Sequence, residues 1–234
     1  MNLRIVIAQT ALVLTFLQAG ISGPAMAQVA PTSREASSYA GLHAAAYQGD
    51  IASIERLAAA KANVNAVDDY GRTPLHVATF ARQRDAIRTL IRSGANPGQL
   101  ERDRYDAVTI ASVADDEETL RVLLSLGASA KRVTSRYDGT ALIAAAHLGH
   151  DGVVRQLIAA GAPLDHVNNL QWTATIESIV LGDGGKRHQA TLKALIDAKA
   201  NLQLADRQGA TPLTLAKSRG YREMVAMLEA AGAK

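Results

Sequence analysis

The most constraining feature of this chain is a short apolar helix start that recurs at a nearly fixed interval. Successive copies are separated by 33, 33, 34, 33 and 38 residues. A period of this length indicates stacked units, each too small to bury a core alone and each stabilised by its neighbours. The pattern therefore predicts a solenoid of about six units. The helix starts lie at Leu42, Leu75, Val108, Leu142, Thr175 and Leu213.

The best-preserved unit carries a recognisable motif at both of its ends. Residues 71–78 read Gly-Arg-Thr-Pro-Leu-His-Val-Ala, and the same unit closes with Gly94-Ala95. A threonine before a proline suits a helix start, because the hydroxyl caps a free amide and proline loses no hydrogen bond in the first turn. Together with the period, the motif resembles the ankyrin-repeat family over about residues 39–234.

The resemblance implies an all-α solenoid of helix-turn-helix units with projecting β-hairpin loops between them. It also implies that the protein binds another protein and is not an enzyme. The expected units are 39–67, 68–100, 101–133, 134–167, 168–205 and 206–234.

The N-terminus has the pattern of a secretory signal peptide. The apolar stretch from Ile5 to Leu17 is too short to span a bilayer, and it leads to Ala25-Met26-Ala27, with small residues where a signal peptidase cuts. We expect residues 1–27 to be removed after Ala27, residues 28–38 to be a polar linker, and the product to lie in the periplasm, without a membrane span, rather than outside the cell. The alternative is an uncleaved apolar helix.

Composition narrows the function classes. The chain has no cysteine and a formal net charge of +3. The first fact excludes a disulfide framework and a Cys-ligated metal site, and the second gives no basis for nucleic-acid binding. We expect a monomer without cofactor or metal whose partner is another protein.

Aromatic residues concentrate at the expected hairpins. The chain has one Trp, six Tyr and two Phe, and four of these residues fall one to a junction. Because aromatic side chains anchor protein interfaces, they predict a partner-binding surface, although each ring could instead pack against its own turn. The predicted partner-binding residues are Tyr70, Arg72, Tyr105, Tyr137, Asn169, Trp172, Glu177 and Arg207.

Aligned second helices carry a cation in the same outward slot of four successive units. The residues are Arg88, Arg121, Arg155 and Lys193. They could form a surface for an anionic partner, or they could be an ordinary solvated helix face.

The fifth unit departs most from the pattern. Its spacing is 38 residues, Thr175 replaces the usual leucine, and the stretch from Gly182 to Gln189 predicts a mobile polar loop.

The leading interpretation is an exported protein-binding module that acts as scaffold, inhibitor or stabiliser. One alternative is a small metal-dependent or hydrolytic enzyme using His147, His150, Glu177 or Asp183. Another is an immunity factor or a secreted effector.

Overall fold

The computed structural model describes residues 30–234, which form thirteen helices and one two-stranded sheet. The signal-peptide prediction for residues 1–27 lies outside the described residues. The elements are α1 (Ser33–Ser38), α2 (Gly41–Gln48), α3 (Ile51–Ala59), α4 (Pro74–Phe80), α5 (Arg84–Arg92), α6 (Ala107–Val113), α7 (Glu117–Ser125), β1 (Val133–Thr134), β2 (Gly139–Thr140), α8 (Ala141–His147), α9 (Asp151–Ala159), α10 (Ala174–Val180), α11 (Lys186–Asp197), α12 (Pro212–Ser218) and α13 (Arg222–Ala230).

The helices after α1 form two layers, as the period predicted. The even-numbered helices α2 to α12, the first helices of the units, pack against one another in order. The odd-numbered helices α3 to α13 do the same. Each first helix also packs against the second helix of its own unit. The chain is thus a solenoid in which contacts run between sequence neighbours.

Polar caps start the first helices at five of the six units. Thr73 accepts from the backbone N–H of His76 at 3.3 Å, and His76 Nδ1 accepts from the Thr73 N–H at 2.9 Å. Asp106, Thr140 and Thr173 accept in the same way, as does Thr211, whereas Ala40 makes no side-chain cap. The cap predicted from the Thr-Pro start is confirmed, and three units without that start have an equivalent cap.

The apolar stripes of the second helices lie in the core. In the second to fifth units, the first two positions of each stripe, three residues apart, are fully buried, which is what a repeat too small to bury its own core requires. The buried stripe residues are Ile87, Leu90, Leu120, Leu123, Val154, Leu157, Leu192 and Leu195.

Side chains near the start of the second helices hold neighbouring units together. Gln83 donates from its amide to the Tyr47 carbonyl at 3.3 Å, and His150 Nδ1 donates to the Ser112 carbonyl at 2.9 Å. Tyr221 donates to the Gly182 carbonyl at 2.9 Å. In each case the acceptor is a carbonyl near the C-terminal end of the previous unit's first helix, where helical partners run out.

Two sequence predictions need correction. The expected linker 28–38 contains α1, which begins with a capping box between Thr32 and Glu35. The expected loop from Gly182 to Gln189 is shorter, because α11 begins at Lys186 and the Gln189 N–H already bonds the Gly185 carbonyl at 2.9 Å. Lysines and arginines that follow glycines are good helix formers, so the helix extends back to the glycines.

A buried hydroxyl in α11 gives a stability prediction. Thr191 is fully buried, and its hydroxyl has no hydrogen-bond partner among residues 30–234. Replacing it by the isosteric valine removes an unsatisfied polar group, so Thr191→Val should raise the free energy of unfolding by about 1 kcal/mol. Urea denaturation measures this change.

Thr119 occupies the same slot of α7 and serves as the matched control. Its hydroxyl donates to Asp116 Oδ2 at 2.6 Å. Thr119→Val should therefore lower the free energy of unfolding by about 1–3 kcal/mol. Equal effects of the two substitutions would contradict this account.

Candidate protein-binding face

Each junction between units is closed by one side chain that caps its own turn. The side-chain oxygen of Asp68 accepts from the N–H groups of Tyr70 and Arg72, two and four residues on, both at 2.9 Å. The other four junctions repeat this geometry, and only the one at 133–140 carries the strands β1 and β2. The turns therefore hold the residues at their tips in fixed positions. The capping residues are Asp68, Glu101, Ser135, Asn168 and Asp206.

This register divides the predicted aromatic row into two kinds of site. Tyr70 and Tyr137 lie two residues after their capping side chain and are 38% and 50% exposed. Tyr105 and Trp172 lie four residues after it and are half-buried. The two tyrosines at the tips are therefore the more exposed members of the aromatic row, although the guanidinium groups of Arg72 and Arg102 lie 4.4 and 5.2 Å from the Tyr70 ring centroid.

Arg72 is wrongly predicted as a surface contact. It is 1% exposed, and its Nε donates to Asp68 Oδ2 at 2.7 Å. A second carboxylate, that of Glu35 in α1, lies 3.6 Å from Nη2. A guanidinium can be buried only when opposite charges accompany it. The second of these charges comes from a segment outside the repeats, which the repeat alignment could not indicate.

Asn169 and Arg207 are exposed, as predicted, but they connect neighbouring tips. Asn169 Nδ2 donates to the Arg136 carbonyl at 3.1 Å, and Arg207 Nη2 donates to the Asn169 carbonyl at 3.0 Å. Arg102 and Arg136 reach back in the same way to Asp69 and Asp103. These bonds form a ladder along the tips and leave the outer sides of the side chains for a partner.

Glu177 is also predicted as a partner-binding residue, but it is not an open surface group, because it is 6% exposed. The side-chain Oδ1 of Asn168 caps its own turn, so the side-chain Nδ2 needs a separate acceptor. Glu177 Oε1 accepts from Nδ2 at 2.8 Å. His147 Nδ1 lies 3.6 Å from Glu177 Oε2. Burial raises the pKa of Glu177 to about 8 and lowers the pKa of His147. The carboxyl is thus a buried structural group in the first helix of the fifth unit.

The cationic column is exposed, but three of its members have an acid on their own helix. Arg155 lies 2.7 Å from Asp151, and Lys193 lies 2.7 Å from Asp197. Arg88 lies 3.8 Å from Asp85. Because these acids offset the charge, the column attracts an anionic partner less than its sequence suggested.

The sequence prediction missed an apolar row on the first helices. Five residues after the helix start, each of the first five units carries a side chain that is half-buried or exposed. Alignment of the units at this slot could have found the row. Its apolar members are Tyr47, Phe80, Val113 and Val180, with Leu181 beside the last, and His147 occupies the slot in the fourth unit.

The residues suggested for an enzyme are held in structural contacts. His150 donates to a main-chain carbonyl, and His188 lies between Asp183 Oδ1 at 2.8 Å and the His147 carbonyl at 3.0 Å. Residues 30–234 contain no group of three or more His, Asp or Glu residues placed to hold a metal ion. None of the helices described is long and apolar enough to cross a membrane.

The two layers, the capped turns and the repeated Thr-Pro start define a helix-turn-helix repeat protein of the class that binds other proteins. Family models described as ankyrin repeats match residues 42–91 and 142–234. The chain belongs to the ankyrin-repeat family. Residues 92–141 lie between the two matches and contain α6 and α7, which stack like the other helices.

Similar proteins extend over most of the chain. The putative ankyrin repeat protein YahD of Escherichia coli K12 is 34% identical over 190 residues, which is 81% of this chain and 94% of the relative. The structure of an ankyrin repeat domain from Acinetobacter baumannii AYE has 44% sequence identity and a TM-score of 0.78, and covers 82% of this chain and 98% of that one. The mouse B-cell lymphoma 3 protein homolog is 28% identical over 199 residues, 82% of this chain and 44% of its own length.

The buried carboxyl of Glu177 gives a prediction on pH. Its pKa is about 8 in the folded protein, against an ordinary value of 4.5, so the folded state keeps a proton that the unfolded state releases. The contribution of Glu177 to stability should therefore fall as the pH rises from about 5 to about 8. The variant Glu177→Gln lacks this dependence. Its free energy of unfolding should exceed that of wild type by about 2 kcal/mol at pH 8 and differ little from it at pH 5.

Thermal or urea unfolding of the two proteins across this pH range measures the effect. The exposed Glu55 provides the control, since Glu55→Gln should leave the pH profile of wild type unchanged. Parallel profiles for wild type and Glu177→Gln would show that Glu177 holds no extra proton in the folded state.

Proposed function

We propose that this protein is an exported module that binds one protein partner and acts as its scaffold, inhibitor or stabiliser. The binding face consists of the apolar row on the first helices and the exposed tyrosines at the tips. The observation that carries the proposal is that this row runs through five successive units, from Tyr47 to Val180, with Tyr47 exposed and the others half-buried. A row of apolar side chains of this kind, with polar residues around it, marks a protein interaction site.

The tips suit this role because they are already ordered. Each turn is fixed by its capping side chain, and the ladder fixes each tip relative to the next. Binding to a rigid surface loses less conformational entropy than binding to a mobile one. Tyr137, 50% exposed at such a tip, therefore offers a large apolar contact at low cost.

The compartment proposed for this function is the periplasm. The support is the N-terminal sequence, with its apolar stretch from Ile5 to Leu17 and the small residues Ala25 and Ala27. The protein recovered from the periplasmic fraction should begin at Gln28. Intact-mass measurement and N-terminal sequencing check this, and a full-length chain in the cytoplasmic fraction would contradict it.

Partner capture with surface variants tests the binding face. Crosslinking in envelope extracts should capture a discrete protein, and Tyr137→Ala combined with Leu181→Ser should reduce the captured amount about tenfold or more, because both side chains are exposed anchors on this face. Quantitative mass spectrometry of the crosslinked material provides the measurement.

The matched control removes two exposed cations from the second helices, Arg121→Ala with Lys193→Ala. Capture should persist in this control. Loss in the control with retention in the first variant would move the binding face to the cationic column.

A further inference from the structure

The apolar core of the solenoid is divided into two clusters. The first cluster runs from Leu42 in the first unit to Ala162 at the end of the fourth and takes in a few residues of the fifth. The second cluster joins the fifth unit to the sixth. Each unit of a solenoid is stabilised by its interfaces with its neighbours, so a division of the core marks a place where the coupling between units is weak.

The fifth unit contributes unequally to the two clusters. Its buried residues in the first cluster, shared with the fourth unit, are Ala174, Leu195 and Ala200. Its buried residues in the second cluster, shared with the sixth unit, are Ile176, Ile179, Leu192 and Leu202. Because stabilisation grows with the apolar area removed from water, the fifth unit is held more strongly by the sixth unit than by the fourth.

Hydroxyl groups also weaken the interior of the fifth unit. Thr175 stands where the other units have leucine or valine, and Ser178 stands where they have alanine. A third buried hydroxyl, that of Thr191, has no hydrogen-bond partner among residues 30–234. All three side chains are buried. Polar groups in core positions reduce the gain from burial, so the fifth unit depends on its neighbours more than an apolar unit would.

The joint between the fourth and fifth units is also bridged by polar contacts. At the tips, the Asn169 N–H donates to the Tyr137 carbonyl at 2.9 Å. At the opposite edge, Arg187 Nη2 lies 2.8 Å from Asp115 Oδ2, and Arg187 Nε lies 3.5 Å from Asp151 Oδ1. The Arg187 side chain is 55% exposed. Water competes for contacts at the surface, so these bonds orient the fifth unit but add little to its stability.

We infer that the fifth and sixth units, residues 168–234, form a C-terminal segment that unfolds reversibly as one body while the first four units stay folded. The two units unfold together because loss of the sixth would expose the larger apolar side chains of the fifth. Regions with the weakest apolar coupling open at the lowest free energy, below that of global unfolding. The opening removes Val180 and Leu181 from the apolar row, so the full row exists only in the closed form. This inference goes beyond the proposed function and concerns the chain without any partner.

Amide hydrogen exchange of the purified protein tests where the array opens. The amides of α10 and α11 should exchange at about the same rate as those of α12 and α13, and about 30-fold or more faster than those of α8 and α9. Simple fraying of the chain end would give a different profile, in which α12 and α13 exchange fastest and α10 and α11 are protected like α8 and α9. That profile would overturn the inference.

A matched pair of substitutions tests whether the segment unfolds by itself. Ile176 in α10 and Ile87 in α5 are both fully buried, and each is shortened by one methyl group in the change to valine. Ile176→Val should speed exchange of α10 to α13 about fivefold, because it weakens the segment that unfolds. Ile87→Val should leave that exchange unchanged within about twofold, since the second unit stays folded during this opening.

The pair separates local from global unfolding. Equal acceleration of α10 to α13 by both substitutions would overturn the inference, because the whole array would then unfold in one step. The absence of any effect of Ile176→Val on these helices would overturn it as well. No partner is present in either experiment, so neither result depends on whether the tips and the apolar row bind a protein.

Discussion

Burial of apolar side chains between neighbouring units is the constraint on which the structure depends. A unit of two short helices has no interior of its own, so Leu75, Ile87 and Leu90 become core residues only when the next units cover them. The core is therefore shared along the array. Hydrogen bonds then fix the spacing that this packing sets. Side chains at the start of the second helices make these bonds at one edge, and the capped turns make them at the other.

The capped turns explain how a regular array can present an irregular surface. One side-chain oxygen in each turn satisfies two backbone N–H groups, so the other residues of the turn can vary without loss of its shape. Tyr70 and Tyr137 lie at such variable positions. The ladder of Asn169 and Arg207 links the tips, so that a partner meets a continuous and ordered edge.

Two charged residues show where repeat alignment fails. The alignment placed Arg72 and Glu177 on the surface, because their slots face the tips or the first-helix face in other units. Arg72 is buried because Glu35, from outside the repeats, and Asp68 compensate its charge. Glu177 is buried because the amide of Asn168 needs an acceptor. Arg72 depends in part on Glu35, which lies outside the repeats, and Glu177 depends on the particular residue, Asn168, at the capping position of its unit. The period alone specifies neither residue.

The sequence by itself determined the family, the number of units and the cap at the Thr-Pro start, since these follow from local spacing and from residue types with one preferred role. The tertiary structure decided which charges are buried, which aromatic rings are exposed, that the expected linker folds as α1, and that the fifth-unit loop ends at Lys186. The physical reason is that exposure and ionisation depend on what lies opposite a side chain across the fold. For Arg72 one such partner, Glu35, lies outside the repeats, and for Glu177 the partner is an asparagine at a capping position whose residue type varies between units.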